Sequence, residues 1–319
     1  MKRKNGRPKK RLYEIGRRKV LKMDREKEQR AIKYLQTFQP QEEPYYLCYS
    51  GGKDSDCIRI LAELAGVKHE CKHNLTTVDA PETVYYVRET IGKENIERPE
   101  LTMWQLIVKK RMPPTRLARY CCEHLKERGG KGRVKITGVR WAESTNRKES
   151  AGVVKVIGKE KTMLKMAEEN GVNFRQVKKG GLVMNDDNSE TRRFVEMCYR
   201  TTSTMVNPIV DWTDEDVWEF LHYYGCKGNP LYQCGNKRIG CIGCPFQGPK
   251  GMKKDFEQYP KYRAAYVAAF DRMLKAREEA GLTNRKEWCD GEHVMRWWVG
   301  GDPNQVTLFD FMEEAGIDY

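Results

Sequence analysis

The sequence contains no apolar run that approaches the length of about 18 residues needed to cross a bilayer. Its basic N-terminal stretch is not followed by the apolar segment of a secretory signal, so no export signal is expected. Charged residues make up 33% of the chain, a proportion typical of soluble proteins. These features argue against a membrane-spanning or membrane-bound protein and predict a cytoplasmic one.

Histidine is scarce, and the five histidines form no convincing set of metal ligands. Cysteine is abundant, with eleven residues. Without an export signal, so many cysteines argue against a disulfide scaffold and favour a reducing compartment. Five of them form a candidate metal site, in which a Cys-x-x-Cys pair followed by proline is joined by an earlier cysteine and an adjacent upstream pair. They are Cys121, Cys122, Cys234, Cys241 and Cys244. Four thiolates suit either a [4Fe–4S] cluster or a tetrahedral zinc ion.

Positive charge is concentrated at one end of the chain. Residues 1–25 hold twelve Lys or Arg against two acidic residues, a net charge of +10 out of +14 for the whole protein. Such an arm favours contact with nucleic-acid phosphates. Residues 5–10 also contain a Gly-Arg-Pro sequence like the core of an AT-hook, which inserts arginine into a narrow minor groove. A solvated tail is the equal alternative, and the choice between DNA and RNA stays open.

The length of 319 residues predicts one main domain with additions. We expect a basic arm and helix at 1–44, a main domain at 45–245 and a helical C-terminal region at 246–319. Strand and helix patterns alternate through the main domain, which predicts an α/β fold with a doubly wound, mostly parallel sheet. Residues 151–200 are interpreted as an insertion with a hairpin near Gly180.

A glycine-rich turn lies between an apolar strand pattern at 45–49 and a helical stretch that begins near Asp56. Two glycines let the backbone approach an anion closely, a lysine supplies a charge, and two serines supply hydroxyl donors. The spacing differs from that of the longer nucleotide triphosphatase loop. The turn resembles the PP-loop of the ATP pyrophosphatase superfamily, whose members bind ATP or another adenylyl nucleotide. The resemblance implies nucleotide binding by Ser50, Gly51, Gly52, Lys53, Asp54 and Ser55, with Lys53 and Asp54 also catalytic.

Three further segments, at 78–83, 137–147 and 208–218, are similar in sequence and order to segments of the phosphoadenosine phosphosulfate (PAPS) reductase family. The resemblance implies that Gly138 and Arg140 hold the nucleotide, which is ATP, PAPS or adenylyl sulfate, with Mg²⁺. It also implies catalytic roles for Asp79, Arg140 and Arg147. Arginine forks hold phosphate or sulfate in a bidentate manner. Asp79 would accept from a ribose hydroxyl or hold a metal, although a turn before Pro81 explains it nearly as well.

The same resemblance favours iron–sulfur over zinc, because adenylyl-sulfate reductases surround a [4Fe–4S] cluster with a Cys-Cys pair and a later Cys-x-x-Cys. It implies that Cys121 or Cys122 joins Cys234, Cys241 and Cys244. Cys121 is preferred because the segment 119–126 resembles the family's Arg-aromatic-Cys segment, which leaves Cys122 as a spare thiol.

The chain departs from the assimilatory reductases, which carry a nucleophilic cysteine near the C-terminus. The last cysteine here is Cys289, in a different sequence context. We therefore expect ATP-dependent adenylation of a nucleic-acid acceptor followed by sulfur insertion, as in DNA phosphorothioation relatives. A cysteine desulfurase or a thiol donor is the expected partner, and an oligomer is compatible with the sequence. The alternatives are sulfonucleotide reduction and a non-catalytic, nucleotide-sensing subunit that binds nucleic acid.

Overall fold

The computed structural model describes residues 24–178 and 180–300. The basic arm at 1–25 therefore lies almost wholly outside the described residues, and its predicted role stays a prediction. The helix expected within residues 1–44 is present in the described residues as Arg25–Thr37. This helix begins after Asp24, whose carboxylate accepts the backbone N–H groups of Glu26 and Lys27.

Helices and strands alternate over most of the chain up to α8, and the four helices from α8 onward follow one another without a strand in the described residues. The helices are α1 (Arg25–Thr37), α2 (Lys53–Leu64), α3 (Pro81–Ile91), α4 (Met103–Lys110), α5 (Thr145–Ser150), α6 (Glu160–Glu169), α7 (Ser189–Cys198), α8 (Asp214–Tyr223), α9 (Gly248–Gln258), α10 (Pro260–Glu279) and α11 (Gly291–Trp298). The strands are β1 (Tyr45–Cys48), β2 (His69–Asn74), β3 (Ile96–Glu97), β4 (Val134–Ile136), β5 (Val154–Ile157), β6 (Arg175–Gln176), β7 (Leu182–Met184) and β8 (Ser203–Val206).

The described residues form two compact units. The first contains the chain up to Lys72 together with Gly130–Pro230, and the second contains His73–Gly129 and the chain from Leu231 onward. The three-part division predicted at residues 44 and 245 remains a prediction.

The sheet of the first unit confirms the α/β fold. Its strand order is β2-β1-β4-β8-β5-β7-β6. Strands β2, β1, β4 and β8 are parallel, whereas β5 pairs antiparallel with both β8 and β7, and β7 pairs antiparallel with β6. The predicted insertion thus extends a parallel sheet with antiparallel strands, and its hairpin near Gly180 is confirmed. Because β2 and β4 lie on opposite sides of β1, the strand order reverses at the β1–β4 pair, the position where such sheets bind ligands.

One face of this sheet is mainly apolar in its central strands, with Thr204 of β8 as a buried polar residue among them. Side chains at alternate positions of β4, β5 and β7 are buried, as the pleat requires. They are Val134, Ile136, Val154, Val156, Leu182 and Met184. Neighbouring residues of these strands project from the opposite face, which carries Lys135 and Lys155.

The second unit is mainly helical, and its core is rich in aromatic residues. The last two residues of β2 pair with β3 in parallel. Tyr266 of α10 is fully surrounded, with ring centroids 4.7 Å from Trp298, 4.8 Å from Trp104 and 5.6 Å from Phe256. The C-terminal region predicted to be helical beyond residue 245 contains α9, α10 and α11 in its described part, up to residue 300. No helix within residues 24–300 that the structure describes has the length and apolarity to span a bilayer.

Candidate functional site

The glycine-rich turn joins β1 to α2 in the first unit. Gly51 adopts a left-handed conformation (φ 74°), which favours glycine. The hydroxyl of Ser55 accepts the N–H of Gly52 at 3.0 Å and donates to the carbonyl of Gly52 at 2.7 Å. The side-chain amide of Asn229 donates to the carbonyl of Gly51 at 3.1 Å. These bonds hold the turn in place at the N-terminus of α2, where backbone N–H groups attract anions.

Two buried cations converge beside this turn. Lys53 and Arg140 are only 7% and 2% exposed. Lys53 Nζ lies 3.1 Å from Asp214 Oδ1, and Arg140 Nη2 lies 2.6 Å from the same oxygen. Arg140 Nε lies 2.7 Å from Asp54 Oδ1, and Arg140 Nη1 donates to the carbonyl of Trp212 at 3.2 Å. Two positive charges therefore meet at a single anionic oxygen.

The carboxylate that meets both cations is itself accessible, since the side chain of Asp214 is 66% exposed. Partial burial opposes its ionised form, but hydrogen bonds from Arg140 and Lys53 outweigh this effect and lower the pKa of Asp214. For Arg140, burial acts against the charge, but the carboxylates of Asp54 and Asp214 overcome it and raise the pKa. The site therefore holds a charged, mutually neutralised group of two cations and two carboxylates.

Gly138 lets the end of β4 approach the turn. A Cβ at this position would lie 3.0 Å from both Cβ and the carbonyl oxygen of Asp54. Backbone atoms cannot yield as a flexible side chain would. The structure thus brings Gly138 against the glycine-rich turn, and its predicted role in nucleotide binding stays a prediction.

We expect Gly138→Ala to weaken ATP binding about tenfold or more, because the added methyl would displace Asp54 and the turn by tenths of an ångström. Gly240→Ala is the matched control, since a Cβ there meets no atom within 4 Å. Isothermal titration with ATP measures the effect. Equal affinities for the two variants would show that the close approach at Asp54 does not shape the site.

Arg147 lies apart from the two buried cations. It is on α5, its side chain is 49% exposed, and its described ion pair is with Glu143 at 3.5 Å. The structure does not place it with Lys53 and Arg140, and its catalytic role stays a prediction.

Asp79 belongs to the second unit and is buried. Its carboxylate accepts the backbone N–H of Thr76 at 2.7 Å, and its carbonyl accepts from the hydroxyl of Tyr262 at 3.0 Å. These bonds give it a structural part in the loop after β2. Its predicted contact with a ribose or a metal stays a prediction.

Two residues that contact the glycine-rich turn or its cations were not predicted from the sequence. The sequence placed Asp214 only within the segment 208–218 that resembles the reductase family, and in the structure it lies in the first turn of α8, after the N-cap Thr213. Its position next to an N-cap was the available signal, because the side chain there projects beyond the helix end. Asn229 lies in no recognised motif, and no sequence signal identifies it.

The five cysteines of the candidate metal site all belong to the second unit. Cys121 and Cys122 lie at the start of a π-helical turn, Cys122–Lys126. A hydrogen bond to Cys122, with burial and the charges of Cys122, Cys241 and Cys244, raises the pKa of the Cys121 thiol. The hydrogen bond from Cys121 lowers the pKa of Cys122 to about 6 against the effect of burial, and Arg119 assists. These opposite shifts favour a pair in which the thiol of Cys121 donates a hydrogen bond to the thiolate of Cys122.

The Cys-x-x-Cys segment lies in the same unit. Cys241 is buried, its Sγ lies 3.5 Å from Thr76 Oγ1, and the backbone N–H of Ile242 donates to the carbonyl of Val78 at 2.8 Å. Cys234 is exposed, and no contact in the described residues joins it to the other four. Within residues 24–178 and 180–300, no three His, Cys, Asp or Glu side chains stand in position to hold a metal ion.

Comparison with known proteins identifies the family. Residues 44–247 match the model of the phosphoadenosine phosphosulfate reductase domain. The chain belongs to the PAPS reductase domain family. This is a family of enzymes that use nucleotide substrates, and the α/β fold of the first unit agrees with it.

Curated relatives of the PAPS reductase domain match over a shorter segment. An uncharacterised 37.8 kDa protein of Escherichia phage 186 is 36% identical over 74 residues, which cover 23% of this chain and 22% of that protein. The adenosine 5'-phosphosulfate reductase of Bacillus cytotoxicus is 32% identical over 73 residues, which cover 22% of this chain and 31% of the reductase. The matched segments thus span less than a third of these relatives.

A solved structure is also similar to this chain. It is the PAPS reductase of Candida auris in a phosphate complex, at 15% identity and a TM-score of 0.36. The match covers 69% of this chain and 97% of that one.

Proposed function

We propose that the protein binds ATP at residues 50–55 and adenylates an oxygen of a nucleic-acid acceptor, with release of pyrophosphate, before sulfur is inserted. The convergence of Lys53 and Arg140 on one anionic oxygen, beside the N-terminus of α2, is the observation that carries this proposal. Paired cations at a helix N-terminus suit the phosphates of a nucleotide. Family membership supports a nucleotide substrate.

In the proposed reaction, a lone pair of the acceptor oxygen attacks the α-phosphorus of ATP. The bond from that phosphorus to the bridging oxygen breaks, and pyrophosphate leaves with the bonding electrons, while the acceptor proton passes to solvent. Lys53 and Arg140 neutralise the charge that develops on pyrophosphate. Mg²⁺ would supply further positive charge there, and Asp54 and Asp214 are the carboxylate ligands at hand.

Sulfur insertion then replaces the activated oxygen. A sulfide-level nucleophile attacks the acceptor atom that bears the adenylate, and AMP leaves with the oxygen. If a persulfide from a cysteine desulfurase is the donor, the product is first a mixed disulfide. A second thiol then attacks the donor cysteine's sulfur in this mixed disulfide. The attack forms a new disulfide, and the two electrons it supplies release the sulfur on the acceptor in its reduced form.

The basic arm supports nucleic acid as the acceptor, because it places ten net positive charges in 25 residues. Transfer of label from the α-phosphate of ATP to a DNA or RNA oligonucleotide, without a sulfur donor, tests this proposal. We expect one of the two to become labelled while pyrophosphate is released. If neither is labelled and no pyrophosphate appears, adenylation is wrong.

Sulfonucleotide reduction is the second candidate. The relative from Bacillus cytotoxicus, which carries the name of an adenosine 5'-phosphosulfate reductase, favours it. Release of sulfite from adenylyl sulfate or PAPS, with thioredoxin as the electron donor, would support this reaction. Loss of that release in Cys289→Ser would identify the nucleophile. Nucleotide binding with neither product would instead favour a non-catalytic, nucleotide-sensing subunit.

We also propose that Cys121, Cys241 and Cys244, with Cys234 or Cys122, hold a [4Fe–4S] cluster, or zinc as the alternative. Soft thiolate donors and the electrostatic proximity of four of these residues support the proposal. The described side-chain positions are not yet those of a metal cage, so loading requires them to move. A cluster there would supply a redox centre or labile sulfur.

We expect Cys241→Ser to lose bound metal, because Cys241 is a buried member of the cysteine group and its charge acts on the Cys121 thiol. Anaerobic purification with iron, zinc and sulfide analysis measures the loss, and Cys289→Ser, at an exposed thiol elsewhere, is the control. A broad visible absorption band identifies iron–sulfur. A colourless protein with stoichiometric zinc would contradict the cluster, and a metal-free wild type would contradict both.

We expect Asp214→Asn to bind inorganic pyrophosphate about tenfold more tightly than the wild type. The carboxylate occupies the point where Lys53 and Arg140 meet, so an incoming phosphate oxygen must displace it. Glu215→Gln is the control, since Glu215 is exposed in the same helical turn and carries the same charge. Weaker binding by Asp214→Asn, in metal-free buffer, would show that Asp214 does not compete with the anion.

A further inference from the structure

Three cations lie in one row across the sheet of the first unit. Lys135 of β4 is paired in register with Met205 of β8, which is paired with Lys155 of β5. Lys155 is paired with Val183 of β7, which is paired with Arg175 of β6. Residues aligned across neighbouring strands project from the same face of a sheet. Lys135, Lys155 and Arg175, here called the cationic row, therefore share the face opposite the apolar one.

The one carboxylate in register with the cationic row among the described strands is Glu70 of β2, which lies two strands from Lys135 and pairs with Arg133. Strands β4 to β8 contain neither Asp nor Glu. Within the described part of the chain, none of the three cations forms an ion pair, and Arg175 donates to a carbonyl oxygen, that of Glu149. Arg133, just before β4, differs in this respect because it pairs with Glu70 at 2.8 Å.

The row gathers like charges in a partly desolvated place. Lys135 and Lys155 are half-buried, and Arg175 is exposed. Burial, followed by the positive charges of Arg147 and Arg175, lowers the pKa of Lys155. Arg147 is itself half-exposed on α5 and paired with Glu143 at 3.5 Å. Repulsion of this kind is relieved when an anion binds.

We infer that the cationic row is a docking surface for the phosphate backbone of a nucleic-acid strand. Four strand spacings of about 4.8 Å separate its ends, a span of about 19 Å. One phosphate group is much smaller than this span, whereas a polynucleotide presents phosphates along its whole length. The inference rests on the proposed nucleic-acid acceptor and adds the surface of the folded domain that would hold it, separate from the N-terminal arm.

Fluorescence anisotropy of a labelled 20-nucleotide single strand, as DNA and as RNA, tests the inference on the full chain across a salt series. We compare the wild type with Lys135→Gln/Lys155→Gln/Arg175→Gln. Single strands release counterions with a slope of about 0.7 per phosphate contact, so we expect the slope of log Kd against log salt to fall by about 2. The affinity at 0.1 M salt should fall at least tenfold.

The matched control is Lys161→Gln/Lys165→Gln/Arg192→Gln, which removes equal charge from α6 and α7. We expect it to keep the wild-type slope within about 0.5. Equal slopes for the two triple variants would overturn the inference, because net charge alone would then explain the binding. Thermal unfolding checks that each variant is folded. If Lys135→Gln/Lys155→Gln/Arg175→Gln does not fold, Lys155→Gln/Arg175→Gln replaces it, and its slope should fall by about 1.4.

Two further outcomes would overturn the inference. The first is a triple variant that loses affinity for 3'-phosphoadenosine 5'-phosphate but not for the oligonucleotide, which would indicate a mononucleotide subsite. The second is competition by polyglutamate as strong as that by unlabelled oligonucleotide, which would indicate an acidic protein partner. Binding is measured without turnover. A chain that binds through the row but releases no pyrophosphate from ATP would therefore refute adenylation and leave the surface intact.

Discussion

Lys53→Ala is expected to slow pyrophosphate release from ATP by about 100- to 1000-fold, the usual effect of removing one preorganised charge donor from a transition state. Lys53 is 7% exposed and lies 3.1 Å from the oxygen at which the two cations meet. Without Lys53, Arg140 is the cation that remains beside Asp54 and Asp214 in the described residues, so the net charge of the site becomes more negative. ATP should then bind more weakly as well as react more slowly.

Arg59→Gln on the same helix is the matched control for Lys53→Ala. Arg59 is half-buried and pairs with Glu63 at 2.6 Å on α2, and none of its described ion pairs or hydrogen bonds is made to residues 50–55. We expect its rate to stay within about twofold of the wild type. A folded Lys53→Ala protein that releases pyrophosphate within about threefold of the wild-type rate would remove Lys53 from the proposed mechanism.

Arg140→Ala is expected to lower the free energy of unfolding by about 3 kcal/mol, near the lower end for breaking a buried ion pair. Arg140 is 2% exposed and holds Asp54, Asp214 and the carbonyl of Trp212 together. Both carboxylates retain contact with solvent, with exposed side-chain fractions of 25% and 66%, and this limits the cost of leaving them without the guanidinium.

Urea unfolding followed by circular dichroism measures this loss. Arg147→Ala is the control, because Arg147 is half-exposed and a surface ion pair contributes about 0–1 kcal/mol. If Arg140→Ala does not fold, Arg140→Lys, which keeps the charge but loses the fork, should be destabilised by a smaller amount. Equal stabilities for Arg140→Ala and Arg147→Ala would contradict the assignment of Arg140 as the buried centre of the site.

Local patterns predicted the elements around the nucleotide site well. The apolar run and the glycine-rich turn predicted β1, the loop and α2, because turn chemistry and helix start are both encoded within a few residues. Helix α8 likewise begins at a local signal, because Thr213 is its N-cap and accepts the N–H of Asp216 with its hydroxyl. Strand β2 ends at Asn74, before the loop that carries Asp79. Thr77 there adopts a left-handed conformation (φ 64°), which a strand cannot accommodate.

Contacts between distant segments could not be predicted in the same way. Asp214 meets Lys53 and Arg140 across more than 70 residues of chain, and no local pattern specifies that oxygen. The antiparallel pairing of β5 with β8 was also not predicted, because an alternating apolar and polar pattern predicts a strand but not the strand with which it pairs. The grouping of Cys121 with Cys241 was expected only from family resemblance, and the spacing alone did not fix it.

The identity of the products formed from ATP tests the central claim most directly. Incubation of the wild-type protein with ATP, Mg²⁺ and a single-stranded oligonucleotide should yield AMP, free or attached to the oligonucleotide, and pyrophosphate in equal amounts. Lys53→Ala should yield neither. ADP with inorganic phosphate would contradict attack at the α-phosphorus, and intact ATP after incubation with both DNA and RNA would contradict an ATP pyrophosphatase at residues 50–55.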